Sequence, residues 1–291
     1  MSDMTGRTVL VTGATAGIGK QTAIGIAQQG ARVVIVGRNP EKTKGVVEEI
    51  KTRTSNQQVE SMICDLSSLA QVRQLAADFK AKYGKLDVLV NNAGAMNPSR
   101  KVTADGYELT FGLNHLTYFL LTELLLPALE AAGTPERKAR IVSVASEAHR
   151  SGKLNFDDLN GEKSWSGWGS YGTSKLANIL WTRELSRRLN GKNVTANCLH
   201  PGFVASDFLS KGGIWTVIKP IAYLFAIDEV EGAQTSIYLA TSPEVEGKTG
   251  DYYARSRLKA PRKSGQDDAV AKQLWEASEK LVAPSAAKQA A

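Results

Sequence analysis

The sequence predicts an α/β fold: one doubly wound domain with about seven parallel strands and helices on both faces. Two observations carry this expectation. Short β-branched apolar runs alternate with longer helical patterns along the chain, which implies right-handed crossovers between parallel strands. Several of those runs are almost continuously hydrophobic, which suits strands covered on both faces.

In chain order, the first strand is expected at Thr8–Thr12 and leads into a helix near 17–29. Arg32–Val36 and Val59–Cys64 follow as strands, with helical stretches near 40–52 and 69–83 after them. Val88–Asn91, Arg140–Val144, Val194–Leu199 and Asp251–Tyr253 complete the strand set. Helices near 105–131, 170–190 and 230–241 separate them. A last helix near 267–282 places Val270, Leu274, Trp275, Ser278 and Leu281 on helical spacing. Neither a composition break nor an internal repeat divides the 291 residues, so 1–283 is expected to be a single domain and 284–291 a frayed tail.

The bulk numbers narrow the function classes. Hydrophobic residues make up 42% of the chain, enough for a sizeable core. Cys64 and Cys198 are the only cysteines, far apart and without metal-ligand spacing, which argues for a reducing compartment with no disulfide framework; no metal is expected. A formal charge of +7 raises nucleic acid as a partner, yet the basic residues are spread along the chain. Their densest group is Arg255, Arg257, Lys259, Arg262 and Lys263, without interleaved aromatics for base stacking. It reads as a solvated surface or as favouring an anionic small ligand, and no nucleic acid is expected. The most apolar stretches are interrupted by Asn114, His115, Glu123 and Pro127, or by Lys219 and Pro220, so no spanning helix is expected. With no targeting pattern at the start of the chain, a cytoplasmic location is expected.

Chemistry enters at the first turn. Thr8–Thr12 runs into Thr12-Gly13-Ala-Thr15-Ala-Gly17-Ile18-Gly19 and then a helix. Residues without bulk let the backbone approach a pyrophosphate, which rests on the N–H groups at the positive helix end. The alternative is a glycine-rich turn with no ligand. Tyr171 and Lys175, in the stretch YGTSK, lie four apart and share a helix face. A neighbouring cation favours a phenolate and would make the tyrosine a usable proton donor or acceptor. On its own, that spacing also fits an ordinary helix with a snorkelling lysine.

The pattern TGxxxGxG resembles that of the short-chain dehydrogenase/reductase family, whose fold is Rossmann-type. Asn91-Asn92-Ala93-Gly94, Asn114, Ser146, Tyr171 with Lys175, and Pro201-Gly202 match the family's further motifs in order, from Thr8 to about Tyr253. The stretches NHLTYFLLTELLLP, RIVSVASEAH and SKLANILWTREL are similar to the retinol-dehydrogenase-like branch. Sugar-nucleotide epimerases share YxxxK but carry TGxxGxxG, where this chain has Ala16 in place of the middle glycine.

The resemblance implies a set of roles. Gly13, Thr15, Gly17, Ile18 and Gly19 would cradle the phosphates, and Asn92, Ala93 and Gly94 would line the cofactor. Asp65 resembles the adenine contact, with Leu66 beside it; a helix N-cap is the other reading of Asp65. The second strand ends in Gly37-Arg38, without the carboxylate that bonds ribose hydroxyls in NAD-binding members. A guanidinium there suits a 2′-phosphate and points to NADP(H); the alternative is a surface Arg in a permissive NAD site. Pro201, Gly202, Val204 and Ser206 resemble the stretch that grips the carboxamide.

In catalysis, Tyr171 would act as general acid/base, Lys175 would lower its pKa and hold the ribose, and Ser146 would bond the substrate oxygen. Asn114 would position a water in a relay from Lys175 to solvent, unless it is a buried Asn serving the backbone. Ser143 lies on the same strand as Ser146, but the family serine is the one closing the strand. His115, His149 and His200 are expected to be structural. Residues 203–228 are rich in large apolar side chains and hinged by Gly212-Gly213. They suit a substrate lid for a lipophilic carbonyl or alcohol, a shallow peripheral membrane contact, or a packed excursion. Relatives often pair through the helices carrying Asn114 and Tyr171, so a homodimer is the leaning.

The expected function is therefore NADP(H)-dependent interconversion of a lipophilic ketone or aldehyde and its alcohol. The rival is a nucleotide-binding regulatory or scaffold protein with little turnover.

Overall fold

A computed structural model describes residues 3–202 and 228–284. Eight strands form one sheet in the order β3-β2-β1-β4-β5-β6-β7-β8. These are β1 (Thr8–Thr12), β2 (Arg32–Gly37), β3 (Val59–Ile63), β4 (Val88–Asn91), β5 (Ala139–Val144), β6 (Val194–His200), β7 (Tyr252–Ala254) and β8 (Arg257–Leu258). The first seven run parallel, and β8 folds back antiparallel on β7. Strand order reverses between β1 and β4, and in open α/β sheets ligands bind beyond the carboxyl ends of the strands at such a reversal.

The described helices are α1 (Gly17–Ala27), α2 (Pro40–Thr54), α3 (Leu69–Tyr83), α4 (Leu109–Phe111), α5 (Thr117–Ala132), α6 (Gly167–Arg188), α7 (Glu229–Thr241) and α8 (Asp268–Val282). Two cores flank the sheet. One gathers Val9, Val11, Val33 and Ile35 with Ile24, Ile26 and Ile50 of α1 and α2. The other packs Leu10, Val34 and Leu89 against Phe79, Phe119, Trp181 and Trp275 of α3, α5, α6 and α8.

Three elements differ from the sequence expectation. The helix expected near 105–131 begins only at Leu109, because Gly106 has φ of 92° and an isolated bridge ties Val102 to Glu108. Glu108 then caps it, accepting from the Phe111 amide at 2.8 Å. The strand β8 was not anticipated. Its turn residues Arg255 and Ser256 have φ of 52° and 56°, a geometry that Asn-Gly signals far better than Arg-Ser. The continuous run Leu109–Ala132, which includes the turn Gly112–Leu116, is long and apolar enough to cross a membrane. However, 72% of its most apolar window is buried inside the domain.

The helices expected to pair in a homodimer, which carry Asn114 and Tyr171, are packed by a later helix. α8 packs across α5 and α6, with Trp275 and Phe119 ring centroids 4.8 Å apart and the Arg188 guanidinium 4.2 Å from the Trp275 ring.

Candidate active site

The phosphate loop works by removing side chains. Gly13 and Gly17 have φ of 65° and 59°, in the left-handed region that glycine adopts without penalty. A Cβ on Gly13 would stand 2.7 Å from the Ala93 Cα. On Gly19 it would meet the Asn92 amide nitrogen at 2.3 Å and the Gly13 carbonyl oxygen at 2.4 Å. α1 begins at Gly17 without a side-chain cap from Ala16 and without an acidic residue in its first turn. Its first amides are left for an anion, so the loop fits a dinucleotide pyrophosphate.

Thr12 ties this loop to β4. Its hydroxyl accepts from the amides of Asn92 and Ala93 at 2.9 and 3.1 Å, while the Asn92 side chain donates to the Thr12 carbonyl at 2.9 Å. Thr15 faces Gly37, where a Cβ would meet its methyl at 2.4 Å. Ile18 is half-buried on the first turn of α1.

Arg38 follows β2 and is exposed. Lys20 and Arg53 both engage Glu49, at 3.1 and 3.2 Å. Asp65 is half-buried and bonds its own turn, accepting from the Ser67 amide at 3.0 Å and the Ser67 hydroxyl at 2.7 Å. The N-cap of α3 is Ser68, not Asp65. Leu66 is buried in the core beside it.

The catalytic candidates converge at the end of β5. Ser146 is half-buried and shares a hydrogen bond with Tyr171. Lys175 is buried, and its ammonium donates to the Val144 carbonyl at 2.9 Å. It lies 5.6 Å from the Tyr171 ring centroid and 5.9 Å from that of Tyr118. A Cβ on Gly94 would stand 3.6 Å from Lys175 Nζ, which brings the β4 loop to the same spot.

Electrostatics here differ from the expectation that Lys175 pulls the phenol down. Burial pushes Tyr171 up to about 12, opposed by the Ser146 hydrogen bond. Burial also brings Lys175 down to about 7. Among the described residues a neutral carbonyl and two ring faces hold this lysine, and its burial disfavours the charged form. It therefore supplies less field than a full cation would.

Asn114 sits in the π-helical turn Gly112–Leu116, a local widening frequent at functional sites. Its side chain clasps Ala95, accepting from the amide at 2.8 Å and donating to the carbonyl at 3.0 Å, and donates to Ser174 Oγ at 3.0 Å. Sequence reasoning missed Asn178, whose side chain donates to the Asn114 carbonyl at 3.0 Å and the Val144 carbonyl at 3.4 Å. It lies three residues beyond Lys175 and seven beyond Tyr171, so helical spacing puts it on their face.

The histidines are accounted for by scaffold bonds. His115 is buried between Asn178 Oδ1 at 3.3 Å and Ser278 Oγ at 2.9 Å, and burial lowers it to about 4. His200 accepts from the Glu147 amide at 3.3 Å. Ser143 is fully buried, and its hydroxyl has no hydrogen-bond partner among the described residues. Pro201 and Gly202 follow β6, with Gly202 at φ of 103°. Val204, Ser206 and the lid expected at 203–228 (apart from Asp228) lie outside the described residues.

The short chain dehydrogenase family matches residues 7–215. The chain belongs to that family. It is 40% identical to human retinol dehydrogenase 13 over 294 residues, covering 98% of this chain and 88% of the relative. It is 42% identical to human polyprenol dehydrogenase over 277 residues, covering 94% and 84%. A solved structure of a protein from Mycobacterium paratuberculosis superposes with a TM-score of 0.78 at 32% identity, covering 97% of this chain and 95% of that one. Membership in the retinol-dehydrogenase-like branch makes the chain an oxidoreductase of alcohols and carbonyls, with a nicotinamide dinucleotide as hydride carrier.

Proposed function

We propose that the protein is an NADP(H)-dependent reductase and dehydrogenase of small lipophilic carbonyls and alcohols, with Tyr171 as general acid/base. The observation that carries this reading is the meeting of Ser146, Tyr171 and Lys175 at the end of β5. A bound dinucleotide supplies or accepts the hydride at the substrate carbon. Ser146 bonds the substrate oxygen and stabilises the charge that develops on it. Tyr171 gives or takes the proton at that oxygen.

Lys175 holds the ribose hydroxyls and, where charged, eases ionisation of the phenol. Both amide hydrogens of Asn114 and its oxygen are engaged by Ala95 and Ser174. Its share in a relay from Lys175 to solvent therefore falls to its main-chain carbonyl, which accepts from Asn178 and has a second lone pair for a water.

Arg38 supports the phosphorylated cofactor, since Lys20 and Arg53 are tied to Glu49. The lipophilic substrate class is supported by relatives named for retinol and polyprenol, both apolar alcohols.

Tyr171→Phe tests the reading. Loss of the hydroxyl is expected to cut turnover of an aldehyde by at least ~10²-fold while folding and NADPH affinity persist. Turnover near that of the wild type would remove Tyr171 from its role.

A further inference from the structure

The turn carrying Ser146 is gripped from two sides by residues that the proposed chemistry does not use. Ser146 caps the turn Glu147–Ser151, its Oγ accepting from the Ala148 amide at 3.2 Å. On one side the turn presses on α6 backbone to backbone. A Cβ on Gly152 would stand 2.3 Å from the Gly172 carbonyl oxygen, and one on Gly172 would stand 2.8 Å from that of Ala148. Gly172 is the residue after Tyr171, so this contact fixes the turn against the helix that carries the phenol.

On the other side, the C-terminal hairpin reaches back. The Tyr252 hydroxyl and the Lys259 ammonium both donate to Glu147 Oε1, at 2.8 and 2.9 Å. The Arg262 amide donates to His149 Nε2 at 3.1 Å. His149 Nδ1 stands 2.7 Å from the Ser146 carbonyl oxygen. A carbonyl can only accept and a main-chain amide can only donate, so the ring is neutral with its proton on Nδ1. His149 is fully buried, with the Tyr252 ring edge-on at 5.4 Å.

We propose that His149 is a positioning residue for Ser146. As the Nδ1–H tautomer it ties the Ser146 carbonyl to the Arg262 amide. Together with Glu147 it lets the C-terminal hairpin set where the Ser146 hydroxyl stands against Tyr171. The bonds from Tyr252, Lys259 and the Arg262 amide land one and three residues beyond Ser146, and none falls on its hydroxyl. That leaves Oγ to its own turn, to Tyr171 and to a substrate oxygen. A displacement near 1 Å at such a group costs on the order of 10²-fold in rate. This inference rests on the proposed roles of Ser146 and Tyr171.

The test compares His149→Phe, His149→Asn and His149→Gln in the full chain. Phe keeps a ring and loses both bonds; Asn keeps a donor near Nδ1, and Gln keeps an acceptor near Nε2. kcat and KM are measured with NADPH and all-trans-retinal or decanal, whichever the wild type reduces faster, and NADPH affinity by fluorescence. His149→Phe is expected to lower kcat by ~30-fold or more, with KM and NADPH affinity within ~3-fold. Asn is expected to recover more of kcat than Gln, because it retains the bond to the Ser146 carbonyl.

A folded His149→Phe with kcat within ~3-fold of wild type overturns the inference, as does a parallel decay of kcat, KM and cofactor affinity. If that variant does not fold, the same constants for Glu147→Gln and Lys259→Met decide, and an unchanged kcat in both overturns it. Tyr171→Phe is run beside them. Retained turnover there, or a wild type inert to both aldehydes, overturns the underlying reading. A dead Tyr171→Phe with wild-type-like His149 variants overturns this inference alone.

Discussion

The cofactor end and the catalytic end of the sheet are built on opposite principles. Around β1 and α1 the site is made by leaving atoms out: Gly13 and Gly19 stand where a Cβ would strike Ala93, Asn92 or the loop's own carbonyl. Around β5 and α6 it is made by burying polar groups that must then be satisfied. Lys175 donates to Val144, Asn178 donates to Asn114 and Val144, and His149 joins Ser146 to Arg262. The first design depends on local sterics and tolerates few changes of shape. The second depends on partners from distant parts of the chain, and its weak points are changes of charge and hydrogen bonding.

The sharpest way to break the comparison is Gly19→Ala. If the loop works by sterics, one methyl is expected to weaken NADPH binding by ~10²-fold and to destabilise by about 1–3 kcal/mol, as overpacking does. Isothermal calorimetry and thermal unfolding measure the two. An Ala variant that binds like the wild type would show that the cradle has slack.

Next in size is the pH dependence of the buried lysine. The folded pKa of Lys175 is depressed to about 7, so the native state binds fewer protons than the unfolded state at higher pH. Its unfavourable burial as a cation is in full force below pH 7 and is relieved as pH rises toward the unfolded value near ~10.4. Cofactor-free wild type is therefore expected to gain stability over Lys175→Met between pH 7 and 9, by up to ~2–3 kcal/mol. Denaturant midpoints at the two pH values check this. Parallel stabilities would mean that the Val144 carbonyl and the two rings fully solvate the ammonium.

Arg38→Asp follows. It removes a fork for a 2′-phosphate and adds repulsion, so kcat/KM preference is expected to swing toward NADH by ten-fold or more. If the original margin persists, Arg38 does not choose the cofactor, and Lys20 or Arg53 must leave Glu49 to do so.

Ser143→Ala is the smallest. Its hydroxyl is buried without a partner among the described residues, so its loss is expected to change stability by less than ~0.5 kcal/mol and to leave activity alone. A marked loss of activity would move the catalytic serine back along β5.

Legibility followed the same division. TGxxxGxG was readable because a strand, a bulk-free turn and a helix are consecutive, and glycine at those positions has no substitute. β1, β4 and β5 were legible as apolar runs. The hairpin was not, since Arg255 and Ser256 take positive φ without the residues that advertise it, supported by a bond from the Ser256 amide to Thr235 at 3.1 Å. The roles of Asn178 and His149 were equally hidden, because both depend on groups that the chain supplies far from them.

The sequence by itself determined the α/β alternation, the glycine cradle and the placement of Tyr171 above Lys175 on one helix face, all consequences of backbone geometry within a few residues. Only the tertiary structure decided that burial, rather than the neighbouring lysine, dominates the phenol. Only it showed that Asn114 is committed to Ala95 and that α8 lies over α5 and α6. Desolvation and hydrogen-bond satisfaction depend on everything that packs around a group, and no local pattern of residues contains that information.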